Sequence, residues 1–168
     1  WGGGGRPFVG TEVRSADGGE ILLRGPNLMR GVCGRPRSEV FTVDGWYRTG
    51  DRGHLDGDGY LWYEGRLDDM FKVAGATVYP SEVEAALRSV EGVRQAHVTD
   101  VDGEVGAAVV TDLPPETVAA ATKERLSAFK RPTRWLVTTE ATTVPLTATG
   151  KVDKVALRRL LVDGGRNI

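Results

Sequence analysis

Glycine is spread unevenly along this 168-residue chain, and the imbalance limits its architecture more than any other feature: 16 of the 23 glycines lie in residues 1–65 and 7 in residues 66–168. Glycine weakens helices and marks tight turns, so the first part is not a helical design. Its segments Thr11–Arg14, Glu20–Arg24, Gly53–Leu55 and Tyr60–Glu64 are short, several of them rich in β-branched or aromatic residues, and are separated by Gly-Gly, Gly-Pro, Asp-Gly and Asp-Gly-Asp-Gly. They predict strands of a small distorted β-sheet or barrel. The glycines at 2–5 follow no strand and read as a loop, not as a dinucleotide fingerprint. The chain opens on Trp1 without an initiator methionine, so we expect further sequence upstream.

Beyond residue 65 the pattern alternates between helix and strand. In Ser81–Val90 the apolar residues Val83, Ala86, Leu87 and Val90 recur at helical spacing, and Ser81 with Glu84 forms a capping-box pattern. Pro115–Phe129, with Val118, Ala121, Leu126 and Phe129 on one side, and Lys154–Val162 predict two further helices. Arg94–Thr99, Val105–Thr111 and Arg134–Thr138 predict strands. The fold class is α+β: the small β subdomain, then a domain with helices packed on a small sheet.

Composition narrows the function classes. Hydrophobic residues at 40% and charged residues at 27% suit a folded chain with a real core. A net charge of −1 advertises neither nucleic acid nor an anionic membrane as partner. No apolar run approaches the ~20 residues of a membrane span, and no signal peptide is visible. The lone Cys33 excludes an internal disulfide and fits a reducing, cytoplasmic setting, where it reads as a small half-buried hydrophobe. His54 and His97 have no partner at metal or triad spacing, and Asp56-Gly57-Asp58-Gly59 reads as a hairpin turn, because Tyr60 and the lack of a closing glutamate spoil a calcium loop.

Chemistry gathers in three places. Gly45-Trp46-Tyr47-Arg48-Thr49-Gly50-Asp51 ends in an aspartate that can accept both hydrogen bonds of a vicinal diol, or simply close a turn. Gly65-Arg66-Leu67-Asp68-Asp69, running on through Lys72 and Gly75 to Glu84, sits at the composition boundary, as a linker between rigid bodies would. Thr147-Ala148-Thr149-Gly150-Lys151 ends in a lysine able to reach a phosphate, yet it is no phosphate-cradling loop: Pro145 and Val152 replace residues that motif requires. Residues 123–159 carry nine basic and three acidic side chains, a patch suited to attracting phosphates or merely a solvated face.

In order and spacing the three motifs resemble the C-terminal part of the adenylate-forming (AMP-forming) superfamily, which includes acyl-CoA synthetases, aryl-CoA ligases, peptide-synthetase adenylation domains and luciferase. The likeness covers essentially the whole chain. It implies that residues 1–65 end a large N-terminal domain and residues 66–168 form a mobile C-terminal domain, with the hinge at residues 65–69. It further implies that Asp51 binds the ribose of ATP, Arg66 and Lys72 contact the nucleotide, Asp68 is the hinge residue and Lys151 is the catalytic lysine of adenylation. Gly75 would line the pantetheine tunnel in the thioester-forming orientation.

The function so implied is ATP-dependent activation of a small carboxylic acid as acyl-AMP and its transfer to CoA. Magnesium would be held by a ligand from the N-terminal part. The upstream phosphate loop and the Thr-Glu magnesium motif are absent from these residues, so this stretch alone is expected to be inactive. Val78-Tyr79-Pro80-Ser81-Glu82 favours a CoA ligase, since peptide-synthetase domains usually carry Leu-Gly where Pro80-Ser81 stand. The alternatives are a domain loading an amino or aryl acid onto an acyl carrier protein, and a non-catalytic fragment that keeps only the fold.

Overall fold

A computed structural model describes residues 2–168. The chain divides into two units, the first ending at Asp69 and the second running Met70–Ile168.

The first unit is a five-stranded antiparallel sheet with strand order β1-β5-β4-β3-β2, built from β1 (Gly2–Gly5), β2 (Glu12–Ser15), β3 (Glu20–Arg24), β4 (Tyr47–Leu55) and β5 (Leu61–Arg66), with a one-turn helix α1 (Arg37–Val40) before β4. Ile21 and Leu22 of β3 are buried, as are Val40, Phe41 and Trp46. The glycines at 2–5 correct the sequence reading: they are a strand, paired with β5 as Gly2↔Tyr63, Gly3↔Trp62 and Gly5↔Leu61. A ladder is made by backbone groups and needs no side chains, so a glycine run can pair without showing any alternation. Asp56 closes the β4–β5 turn by accepting from the Asp58 and Tyr60 amides and, at 2.7 Å, from Trp62 Nε1. The hydrogen bond from Trp62, then that from the Tyr60 amide, hold its carboxyl below the usual range. Cys33 is exposed, not half-buried.

β4 is irregular where the glycine-flanked aspartate lies. Glu20 pairs with Arg52 and Leu22 with Arg48, so residues 49–51 of β4 stand opposite Ile21 alone. Such a bulge bends a strand and redirects its side chains.

In the second unit, the hairpin β6 (Phe71–Val73) and β7 (Ala76–Val78) leads into α2 (Pro80–Arg88). A three-stranded sheet follows, with order β10-β9-β8, from β8 (Val93–Val101), β9 (Glu104–Thr111) and β10 (Arg134–Thr138). β8 and β9 are antiparallel; β9 and β10 are parallel and joined through α3 (Pro115–Lys123). The central strand β9 is covered on both faces. Val105, Ala107 and Val109 join Val83 and Leu87 of α2 and Val118 of α3 in one cluster, whereas Ala108 packs with Leu157 and Leu161 of α4 (Lys154–Gly164). Each buried Val or Leu contributes about 1.5–3 kcal/mol. This is the mixed α+β architecture expected from the sequence.

Two local expectations fail. No capping box forms on α2: Pro80 occupies the first helical position with Tyr79 as N-cap, and the Glu84 carboxylate instead accepts the Val98 amide at 3.0 Å. The helix predicted over Pro115–Phe129 ends at Lys123. There the chain turns so that Leu126 buries, the Arg131 guanidinium donates to the Lys123 and Leu126 carbonyls, and Ala128–Lys130 forms a short 3-10 turn.

The register of the first sheet leaves no room for a side chain at Gly53. A Cβ there would lie 2.2 Å from the Trp62 carbonyl oxygen and 2.8 Å from Ile21 Cδ1, while one at Gly57 would meet nothing within 4 Å. Gly53→Ala should therefore cost about 1–3 kcal/mol of stability and Gly57→Ala less than about 0.5 kcal/mol. Denaturant titrations followed by tryptophan fluorescence compare the two; equal losses would contradict this register.

Candidate functional site

The bulge gives Thr49, Gly50 and Asp51 backbone groups that the ladder with β3 cannot all serve, and side chains take over. The Thr49 hydroxyl donates to the Ile21 carbonyl at 2.7 Å and accepts the Asp51 amide at 3.0 Å. The Gly50 amide donates to Glu20 Oε1 at 3.2 Å, and the Gly50 carbonyl accepts the Leu67 amide at 2.8 Å. Gly50 has φ +71°, a left-handed conformation that strains any residue with a Cβ. A Cβ at that position would also lie 3.2 Å from Arg66 Nη2.

On its other side β4 pairs with β5, where the register shifts between Arg52 and Gly53, and Asp51 stands opposite Arg66. The Arg66 guanidinium is shared. Nη1 donates at 3.1 Å to Asp51 Oδ1 and to the Thr49 carbonyl, while Nε and Nη2 donate to the two oxygens of Asp68 at 3.0 and 3.1 Å. The hydrogen bonds that Arg66 donates to Asp68, with the charge of Asp51 adding to them, raise the Arg66 pKa and keep the group cationic. Burial, and then the negative charge of Asp51, push the Tyr63 phenol up. Three of the residues singled out in the sequence, Asp51, Arg66 and Asp68, thus form one connected cluster. The Asp51 side chain is 32% exposed, and its Oδ2 has no donor among the described residues. An acceptor held in place with one oxygen open suits a ligand's hydroxyl groups. Beside the cluster lies a cleft of about 380 Å³ lined by Glu20, Arg48, Thr49, Gly50, Arg66 and Asp68 among others.

Lys72 and Gly75 lie together on the β6–β7 hairpin. Lys72 Nζ donates to Thr77 Oγ1 across the hairpin at 2.5 Å. Ala74 and Gly75 both have positive φ, +49° and +85°, the requirement of a two-residue type I′ turn. A Cβ on Gly75 would meet nothing within 4 Å.

Lys151 lies on a loop of its own. The Thr147 amide donates to the Lys151 carbonyl at 2.7 Å, the Gly150 amide to the Thr147 carbonyl at 2.9 Å and the Asp153 amide to the Pro145 carbonyl at 2.9 Å. The loop is a closed turn pinned to α4, whose N-cap Asp153 accepts the Val155 and Ala156 amides. The exposed ammonium of Lys151 has no partner among the described residues.

The basic run over residues 123–159 is not a single field. Lys130 pairs with Glu82 at 2.5 Å, Arg134 with Glu104 at 3.2 Å and Arg158 with Asp100. Each acid comes from outside the run, which is why counting along the sequence overstated the patch. His54 also has a partner unseen in the sequence: its Nδ1 lies 3.0 Å from Glu64 Oε1 across the β4–β5 ladder. Among the described residues no group of three or more His, Cys, Asp or Glu side chains could hold a metal ion. No step is assigned to magnesium here. Sequence reasoning missed Glu20. A charge beginning a strand after Gly18-Gly19 was the only signal it gave.

Comparison with known proteins points to a family. Residues 82–151 match the AMP-binding enzyme C-terminal domain. The chain is 42% identical over 93% of its length to a methyl-dioxo-octahydroindenyl-propanoyl:CoA ligase of Mycobacterium tuberculosis, covering 32% of that protein. It is 36% identical over 90% of its length to an indoleacetate–CoA ligase of Aromatoleum aromaticum, covering 31% of it. The chain thus spans about a third of the length of these curated relatives. Among solved structures, o-succinylbenzoate CoA synthetase MenE of Bacillus subtilis, in complex with its acyl-adenylate intermediate, superposes with a TM-score of 0.80 at 30% identity, over 94% of this chain and 35% of that one. With the motif triple, the family match and the fold in agreement, the chain belongs to the adenylate-forming superfamily and matches its C-terminal part.

Proposed function

We propose that this chain is the C-terminal part of an ATP-dependent acyl-CoA synthetase, which converts a carboxylic acid to acyl-AMP and then to an acyl-CoA thioester. The observation that carries the reading is the Asp51–Arg66 pair: a carboxylate fixed on a bulge by a cationic neighbour, with Oδ2 open to accept from a ribose diol. The relatives' names favour CoA as the thiol partner over a carrier protein.

In the first half-reaction an oxygen of the acid's carboxylate attacks the α-phosphorus of ATP. A carboxyl–phosphate bond forms, and the bond to the bridging oxygen breaks as pyrophosphate leaves with its electrons. Like charges meet in this step, so it needs cations and alignment more than a base. Lys151, an exposed ammonium on a closed turn, is suited to neutralise the approaching oxygens. In the second half-reaction the CoA thiolate attacks the acyl carbon, a carbon–sulfur bond forms and AMP departs. That step requires a passage for the pantetheine arm and no lysine at the phosphate. The hairpin tip at Gly75, which carries no side chain, suits the wall of such a passage. Asp68, at the end of the first unit, is proposed as the hinge that lets the second unit present Lys151 and Gly75 in turn.

Asp51→Ala in the full-length enzyme should weaken ATP binding by about 1.5–3 kcal/mol, the range for a hydrogen bond to a charged group. An unchanged KM for ATP in steady-state assays would refute the ribose assignment. Asp68→Pro fixes φ near −65° and removes a donor. One half-reaction should then survive while the other falls about tenfold or more, and equal small losses in both would make residue 68 a mere linker.

A further inference from the structure

We propose that Glu20 is a positioning residue for the nucleotide-binding aspartate: through the Gly50 amide its carboxylate holds the bulge that aims Asp51. The inference rests on the ribose reading of Asp51 given above.

An accounting of backbone groups in the bulge supports it. Residues 49–51 oppose Ile21 alone, so the normal alternation of ladder bonds is broken. The Asp51 amide is satisfied by Thr49 Oγ1, the Thr49 carbonyl by Arg66 Nη1 and the Gly50 carbonyl by the Leu67 amide. The Gly50 amide is left to Glu20 Oε1, whose carboxylate comes from 30 residues earlier in the chain. Glu20 starts β3, and the next two residues, Ile21 and Leu22, are 4% and 2% exposed, so the carboxylate is mounted on a rigid element.

The second oxygen, Oε2, receives Arg48 Nη1 at 3.2 Å. A surface ion pair would leave both side chains open to water, yet Glu20 is 15% exposed against 46% for Arg48. Exposed pairs of that kind do little, whereas a partly buried amide deprived of its acceptor is costly. Without Glu20 the Gly50 amide loses the side-chain acceptor that β3 offers it. Gly50, already in a conformation open to glycine, is then held less firmly, and Asp51 follows in the chain.

The test measures KM for ATP, KM for the acid and kcat in the full-length enzyme, with thermal unfolding alongside. Glu20→Ala should raise the KM for ATP about tenfold, the scale of one hydrogen bond to a charged acceptor, while kcat and the acid's KM stay within about twofold. Two milder variants separate reach from charge and keep the fold. Glu20→Gln retains an acceptor at the same reach and should stay within about threefold of wild type, whereas Glu20→Asp keeps the charge near Arg48, falls short of the Gly50 amide and should behave like Glu20→Ala.

Because Glu20 acts through Asp51, the double variant Glu20→Ala/Asp51→Ala should be no worse than Asp51→Ala within about twofold. Multiplying effects would overturn the proposal. So would a Glu20→Asp variant that behaves as wild type beside an impaired Glu20→Gln, since charge pairing with Arg48 would then be what matters. If Asp51→Ala raises the KM for ATP and Glu20→Ala does not, positioning fails and the ribose reading stands. If Asp51→Ala changes nothing, the ribose reading falls and takes the positioning role with it.

Discussion

A sheet strand that carries one regular ladder on each side has no freedom to direct a backbone segment toward a ligand. In this chain β4 gains that freedom by staying paired with β5 at Asp51, which faces Arg66, while bulging away from β3 at residues 49–51. The ladder groups lost on the β3 side are recovered by Thr49 and Glu20, and those on the β5 side are reinforced by the Arg66 guanidinium. Arg66 then links this segment to Asp68. The proposed nucleotide contact and the proposed hinge residue are therefore tied to one cation.

The second unit works differently. Its central strand β9 is buried along seven of its eight residues and sandwiched between α2 and α3 on one face and α4 on the other. This core supports two projecting turns that contribute little to it. The Ala74-Gly75 hairpin tip leads into α2, and the Lys151 turn is pinned to the N-terminus of α4 by Asp153. A rigid body with two short turns is the economical way to offer two different groups to one reaction, because moving the body exchanges them without refolding either loop.

Much of this was legible in the sequence. Glycine density marked the β-rich part, and apolar spacing marked α2, α4 and the strands around them, because each of these elements buries one face against a core. The expected strands Glu20–Arg24 and Arg134–Thr138 stand at those bounds. The motif residues were legible as types, and the structure joins Asp51, Arg66 and Asp68 into one cluster. What stayed hidden depended on partners far along the chain. A glycine strand has no side-chain period to read, so β1 looked like a loop. The bulge is a relation between two strands, so the contact from Glu20 to Gly50 leaves no trace in local pattern. Three of the basic run's nine cations pair with Glu82, Glu104 and Asp100, all outside it. α3 kept its apolar spacing past Lys123, although Leu126 buries from a turn that follows the helix.

The claim on which the proposed function turns is that Lys151 and Gly75 serve different half-reactions of one enzyme. It is tested most directly by measuring, in full-length Lys151→Ala and Gly75→Asn variants, pyrophosphate release from acid and ATP and thioester formation from supplied acyl-adenylate and CoA. Asparagine tolerates the left-handed backbone of Gly75, so the hairpin is preserved while a side chain is added. The account predicts a crossover. Lys151→Ala should lose about 10²–10³ in adenylate formation and keep thioester formation, and Gly75→Asn should do the reverse. Damage by both variants to the same half-reaction, or equal damage by each to both, would contradict it.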